Sequence, residues 1–446
     1  MARVYTRDQV LALAPDAASI KAAQKLLNIG KWPLLETDEA AVWGECKGSG
    51  KKPYLVQIDL SEPAFKCSCP SRKFPCKHGL ALLLLLADSG DAFRQAPQPP
   101  RVADWLESRQ TRVEKKAQRA AAKSARPVDP EALAKQQAKR RQAMSDGLED
   151  FDLWLQDLIR QGLAALPGRD ADYWRQPAAR LVDAKAPGMA RWIDESKRRV
   201  ARGGDWPQRV MATLGQAYLL RRAFANYDKL TPEQQADVRT ALGWTLDKEA
   251  VLEDEAIREP MRVLGRSVSE NKRLREQRIW LQGQTSGRPA LILDFAHGQQ
   301  PFGVRLSPGT VVDLELAYYP SAVPLRALIK ARHGEPQAMT DFHGSDRLED
   351  ALDQVAAALA GNPWLDRLPM TLRGMRLVAA EGSWLVVDGA GRALPAHRSF
   401  QQPWELLAVS GGRPLDLSGE WRPDGFMPLG CIGEEGYQAF ACEEIQ

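Results

Sequence analysis

Residues 67–78 read CSCPSRKFPCKH, and the apolar run GLALLLLLAD follows at 79–88. Three of the chain's six cysteines and one of its five histidines fall within this stretch. The spacing is Cys67-x-Cys69, six residues, then Cys76-x-His78. In an extended segment, residues two apart point to the same side. Cys67 and Cys69 can therefore face one point together, and Cys76 and His78 supply a second pair as the chain turns into a helix. Pro70, Ser71 and Pro75 suit the loop between the pairs. Three thiolates and an imidazole, with no carboxylate among them, match tetrahedral Zn²⁺. Four protein ligands leave no position for an activated water, so the spacing predicts one structural zinc. The alternative, a group of buried thiols beside a satisfied imidazole, does not account for the nested C-x-C and C-x-H pairs.

The flanking residues fit that reading. AVWGECKGSGKKPYLVQIDL, at 41–60, predicts a β-hairpin turning at KGSGKK, with Tyr54, Val56, Ile58 and Leu60 alternating onto one face. Cys46 falls near the cluster but is not needed as a fifth ligand. The run 79–87 is apolar on almost every side of a helix. Two strands and one short helix make a small core, and small domains often need a metal to fold.

A CxCx6CxH set after a hairpin and before an apolar helix resembles the SWIM zinc finger, a ββα family. The resemblance covers about residues 40–90. It implies that Cys67, Cys69, Cys76 and His78 are the zinc ligands, and that the module binds DNA or protein partners. The length and layout also resemble bacterial SWIM proteins of unknown function, some encoded near MoxR-type ATPases and von Willebrand A proteins. None of the helicase, transposase or kinase modules of other SWIM proteins is present, so their activities do not carry over.

At 446 residues the chain exceeds a single core, and its 44% hydrophobic and 26% charged content is that of a soluble multidomain protein. The expected fold class is α+β. Residues 1–93 hold the zinc-stabilised ββα module, 94–145 a basic helical connector, 146–254 a helical region, and 255–446 a β-rich region with one inserted helix. Leu148, Phe151, Leu155, Leu158 and Ile159 form an apolar stripe in the helical region, and Thr231 with Gln234 a capping box. The β-rich region reads as two small barrels or one curled sheet, with ELLAVSG among its strands. No fixed-period repeat is visible.

Net charge is +4, but Arg109–Arg141 carries eleven Lys/Arg against three Asp/Glu. Such a segment favours an anionic partner; a solvated helical connector is the alternative. Lys47, Lys51, Lys52, Arg72, Lys73 and Lys77 place further cations on the hairpin turn and zinc loop. They predict contacts to DNA or RNA phosphates, with Phe74 between them available to stack on a base. Their alternative role is solubility, with Phe74 covering the zinc. The helix after the zinc is greasy, so base-specific readout is not expected.

The opening lacks an apolar stretch with a cleavage site, and Leu80–Ala87 is far short of the ~20 residues that cross a bilayer. A cytoplasmic location without membrane contact is expected, where clustered cysteines are metal ligands more often than disulfides. His297, His333, His343 and His397 are scattered, with Asp294 and Asp341 shortly before two of them. No G-x-S-x-G, HExxH or complete phosphate loop accompanies them. Trp280, Trp384, Trp404 and Trp421 fall in the β-rich region, as core or as a groove lining. The expectation is therefore a zinc-binding adaptor that binds nucleic acid or protein. The competing expectation is a scaffold working with an ATPase or von Willebrand A-type system through its C-terminal half, its zinc purely structural. No catalytic residue is assigned.

Overall fold

A computed structural model describes residues 5, 7–11, 13–14, 17–48, 52–60, 64–71, 73–111, 130–244, 246–271, 274–298 and 300–445. Three sheets and a helical bundle organise them.

The first unit begins with α1 (Arg7–Leu11) and α2 (Ala17–Gln24). Then come β1 (Leu34–Thr37), β2 (Ala41–Cys46), β3 (Tyr54–Asp59) and β4 (Ala64–Cys67). They lead into α3 (Lys77–Asp88) and β5 (Arg94–Gln95). The sheet order is β4-β3-β2-β1-β5, antiparallel except for the β1–β5 edge. Alternation on the strands sends Val42, Val56 and Ile58 to one face, where Leu80 and Leu82–Leu85 of α3 bury against them. The opposite face presents Ala41 and Trp43, covered by Val102 of α4 (residues 100–111). The Trp43 indole donates to Glu36, which also pairs with Arg94. Residues 94–111 thus belong to this unit. The connector expected from residue 94 starts later, because sparse apolar positions such as Val102 and Leu106 complete the second face of the sheet.

The bundle comprises α5 (Pro130–Gln161), α6 (Ala171–Asp183), α7 (Pro187–Arg202), α8 (Trp206–Ala225) and α9 (Pro232–Leu242). Met144 is fully buried in its core, so the bundle begins before residue 146. Leu148, Phe151, Leu155 and Leu158 are buried as the stripe predicts, but Ile159 is exposed. One residue past Leu158 is a step of about 100° around the helix, which turns Ile159 away from the core. The Thr231–Gln234 capping box forms reciprocally.

The short α10 (Lys248–Glu253) leads into two barrels. The first contains β6 (Ile257–Asn271), β7 (Leu274–Gly283), β8 (Pro289–His297), β9 (Thr310–Tyr318) and β10 (Arg326–Ala338). Its order is β6-β7-β8-β10-β9, with β8 and β10 parallel, and β9 pairs back onto β6 to close it. Met261, Val263, Ile279, Leu281 and Ile292 fill its interior. After α11 (Leu348–Gly361), the second barrel repeats the scheme. Its strands are β11 (Leu368–Ala380), β12 (Ser383–Val387), β13 (Ala393–Pro395), β14 (Leu415–Arg422) and β15 (Gly425–Gly433), with α12 (Pro403–Ser410) between β13 and β14. A parallel Ala396–Phe426 bridge brings β13 to β15, where Gly425 (φ 133°) approaches Pro395 too closely for a side chain. The expected pair of small barrels is therefore present. ELLAVSG, expected as a strand, is instead most of α12: Pro403 opens it, Leu406 is buried, and Gly411 ends it in the left-handed conformation.

β16 (Gly436–Ala439) extends the second sheet, and β17 (Glu443–Ile445) returns to pair with β6. Between the barrels, Glu420, Arg422, Arg367 and Glu444 form a buried ion cluster. Trp280 donates its indole N–H to Glu420 at 2.8 Å, and Ser267 its hydroxyl at 3.3 Å. Burial raises the Glu420 carboxyl, but the guanidinium groups of Arg422 and Arg367 outweigh it, and the net direction is down. No helix among the described residues is long and apolar enough to cross a membrane.

Candidate metal centre

The ligand set is assembled by three local features. β4 ends at Cys67, opposite Val56 of β3. The chain leaves the strand with Ser68 N–H bonded to Leu55 O, and the Ser68 hydroxyl accepting from Leu55 N–H. Ser71 caps the loop by accepting from Lys73 N–H, and a cis Phe74–Pro75 bond precedes Cys76. Cys76 is the N-cap of α3, which turns His78 inward.

Cys67, Cys69, Cys76 and His78 come together with their ligand atoms all within 4.8 Å of one another. Cys67 Sγ and His78 Nδ1 are 3.8 Å apart. Tetrahedral zinc with Zn–S near 2.3 Å and Zn–N near 2.0–2.1 Å places ligand atoms about 3.6–3.8 Å apart, so the residues fit the ion. Cys76 and His78 are buried, while Cys67 and Cys69 are half-buried. The Tyr54 ring lies against the His78 imidazole, with centroids 4.8 Å apart.

Hydrogen bonding and burial shift the three thiols in different directions. The Cys67 thiol hydrogen-bonds Cys76 and, with His78 and the Gly79 N–H, holds the Cys76 thiol down at about 4 despite burial. Cys67 is pushed up by the same hydrogen bond and by burial, and Cys69 is raised by burial. A bound dication removes the remaining thiol protons and stabilises all three thiolates. Cys46 is buried and outside the four-residue set; its sulfur contacts Lys47 O. Cys431 and Cys442 are buried free thiols, as expected.

Of the six predicted cationic contacts, Lys47, Lys52, Lys73 and Lys77 are exposed. Lys51 and Arg72 lie outside the described residues, as does most of the basic run 109–141. Phe74 is half-buried between the Phe65 ring and the Arg305 guanidinium, which sits 5.2 Å from its centroid. It is therefore a packing contact of the zinc loop with the first barrel. The histidine pairs separate: Asp294 accepts from the backbone of Phe295 and Val304, and Asp341 from Arg262. Trp280 is core, whereas Trp404 is 69% exposed and meets Trp384 edge-on.

A strand pair, a four-ligand Cys3His cluster and a buried helix define a zinc-finger module with a structural site. The match to protein families is specific: residues 54–87 fit the SWIM zinc finger, and residues 139–242 fit the SWIM-associated four-helix bundle domain. The chain thus carries both modules, and its cluster is compatible with one zinc ion. No curated protein and no solved structure gives a significant match.

Proposed function

We propose that this chain is a cytoplasmic, non-enzymatic adaptor whose zinc finger engages nucleic acid through its lysines. The observation that carries this reading is the placement of charge. Lys47, Lys52, Lys73 and Lys77 are exposed on the finger that carries the Cys3His cluster, while every leucine of α3 except Leu86 is buried. The metal would fix the loop and helix start that carry Lys73 and Lys77, and exposed cations on such a scaffold suit phosphate contacts without base readout. Four such contacts give a salt slope near −3.6, a loss of about 150-fold in affinity between about 50 and 200 mM salt. Replacing the four lysines by Glu should remove binding to an oligonucleotide in fluorescence anisotropy while zinc content stays stoichiometric. Binding that survives the replacement, or is indifferent to salt, rejects this reading.

A second reading rests on Trp404. A tryptophan 69% exposed and braced by Trp384 is the kind of anchor that protein interfaces use. It supports a protein partner, such as a MoxR-type ATPase or von Willebrand A-type protein, at the C-terminal half. Capture of such a partner by the intact chain, lost in Trp404→Ala, tests it.

A further inference from the structure

One end of the helical bundle gathers three arginines around two aromatic rings. Arg140 and Arg141 are consecutive on α5. The Arg140 guanidinium lies 4.5 Å from the centre of the Trp244 ring, just past the end of α9. That of Arg141 lies 5.4 Å from the centre of the Tyr227 ring, in the turn after α8. Arg239 of α9 reaches the same place. Its Nη1 donates to the Tyr227 hydroxyl at 2.9 Å, and its carbonyl accepts from the Trp244 N–H at 2.7 Å. Tyr227 and Trp244 both pack on the bundle core, which holds this platform still.

The charges in this cluster do not balance. Asp228 accepts from Arg141 at 2.5 Å. Arg140 and Arg239 have no carboxylate partner among the described residues, and the Nε of each is buried with no acceptor. Three guanidinium groups against one carboxylate leave a local +2. Aromatic packing accounts for only part of the arrangement. Stacking on a ring occupies the face of a guanidinium and leaves the N–H donors on its edge available. A buried donor or cation without a partner is destabilising, so such groups call for an acceptor. Water satisfies the donors but does not offset the charge.

From this arrangement we infer that Arg140, Arg141 and Arg239 form a binding site for a phosphoryl group at this end of the bundle. A phosphoryl group carries a charge of about −1.5 to −2 and three acceptor oxygens, which matches the unbalanced charge and the several donors. A carboxylate, with one charge and two oxygens, matches less well. Arginine forks meet phosphate oxygens two at a time. The group can belong to a small phosphorylated molecule or to a nucleic-acid backbone, and the test separates these sources. The inference does not depend on the finger reading, because none of its residues lies in the finger.

The test titrates inorganic phosphate into the full chain with zinc by calorimetry, with chloride adjusted to hold ionic strength constant. The native chain should bind phosphate saturably, and its melting temperature should rise with phosphate but not with chloride. Arg140→Gln and Arg239→Lys should each weaken phosphate binding about tenfold, as expected for one lost charge-assisted contact. Arg239→Lys keeps the charge and most of the stem, so it reports the fork rather than the fold. An oligothymidylate that displaces phosphate supports the site and makes a backbone the source. Phosphate that stays bound in its presence supports the site and makes a small phosphorylated molecule the source. If the arginines only pack the bundle, the variants lower the melting temperature equally in both buffers and phosphate stabilises no chain. That result, no saturable phosphate binding by the native chain, or unchanged affinity in both variants overturns the inference.

Discussion

Leu83→Ala separates a zinc that folds the module from a zinc that decorates it. Leu83 is fully buried in α3, inside the core that includes Val42, Val56 and Ile58. Truncating a leucine in such a site costs about 3 kcal/mol, from lost transfer energy and the cavity left behind. The side chain touches no metal, so its only route to the ion is through the stability of the fold. If the metal-free module is unfolded, zinc binding and folding are one equilibrium, and the whole penalty appears in zinc affinity. Three kcal/mol is about a hundredfold. Competition with a chromophoric chelator measures that affinity in native and Leu83→Ala chains, and circular dichroism of the metal-free forms reports the fold. A hundredfold loss is expected. A substitution that destabilises the chain yet shifts zinc affinity by less than about threefold would show that the site is preformed, and the coupling argument would be wrong.

Other outcomes follow from the barrels. Glu420 and Glu444 are held below the ordinary carboxylate value by Arg422 and Arg367, in spite of burial. A depressed folded-state value gives stability that is complete above the unfolded-state value and lost as pH falls through the folded one. The melting temperature of the barrel pair should therefore drop in acid, below about pH 4. Glu420→Gln should lower stability by about 3 kcal/mol at neutral pH, by stranding buried guanidinium charge, and should flatten that acid dependence. An unchanged acid profile in the variant would remove Glu420 as its source. Gly425→Ala forces a side chain onto Pro395 O from a positive φ, and should cost about 2 kcal/mol or more in urea unfolding. A neutral result there would mean that the contact between β13 and β15 is not needed to hold the second barrel.

The metal site was legible because its signal is chemical and local. Four soft ligands at C-x-C and C-x-H spacing constrain one another, and no tertiary information is needed to group them. The hairpin was legible for a similar reason, since Val56, Ile58 and Leu60 alternate cleanly and all are buried. The limits of the first unit were not, because Val102 reaches Trp43 across sixty residues of chain and sits among charged neighbours that mask it. Ile159 shows the cost of reading a stripe one residue too wide. The segment 403–410 is apolar over too short a span for period to distinguish helix from strand, and its end was set by Gly411. The repeated barrel left no sequence period because the two copies share strand order rather than side chains. Their common element is a pattern of backbone pairing, which many sequences satisfy. Phe74 looked available for stacking in the sequence, and only the arrival of Arg305 from some 230 residues away revealed its packing role.

Zinc content of the purified chain, measured by elemental analysis before and after chelation with circular dichroism of the same samples, tests the central claim most directly. The account predicts one zinc per chain, and loss of helix and sheet signal when it is stripped. Cys76→Ser should abolish stoichiometric binding without the chelator. A chain that holds no stoichiometric metal, and whose first unit keeps its structure in chelator, would contradict it.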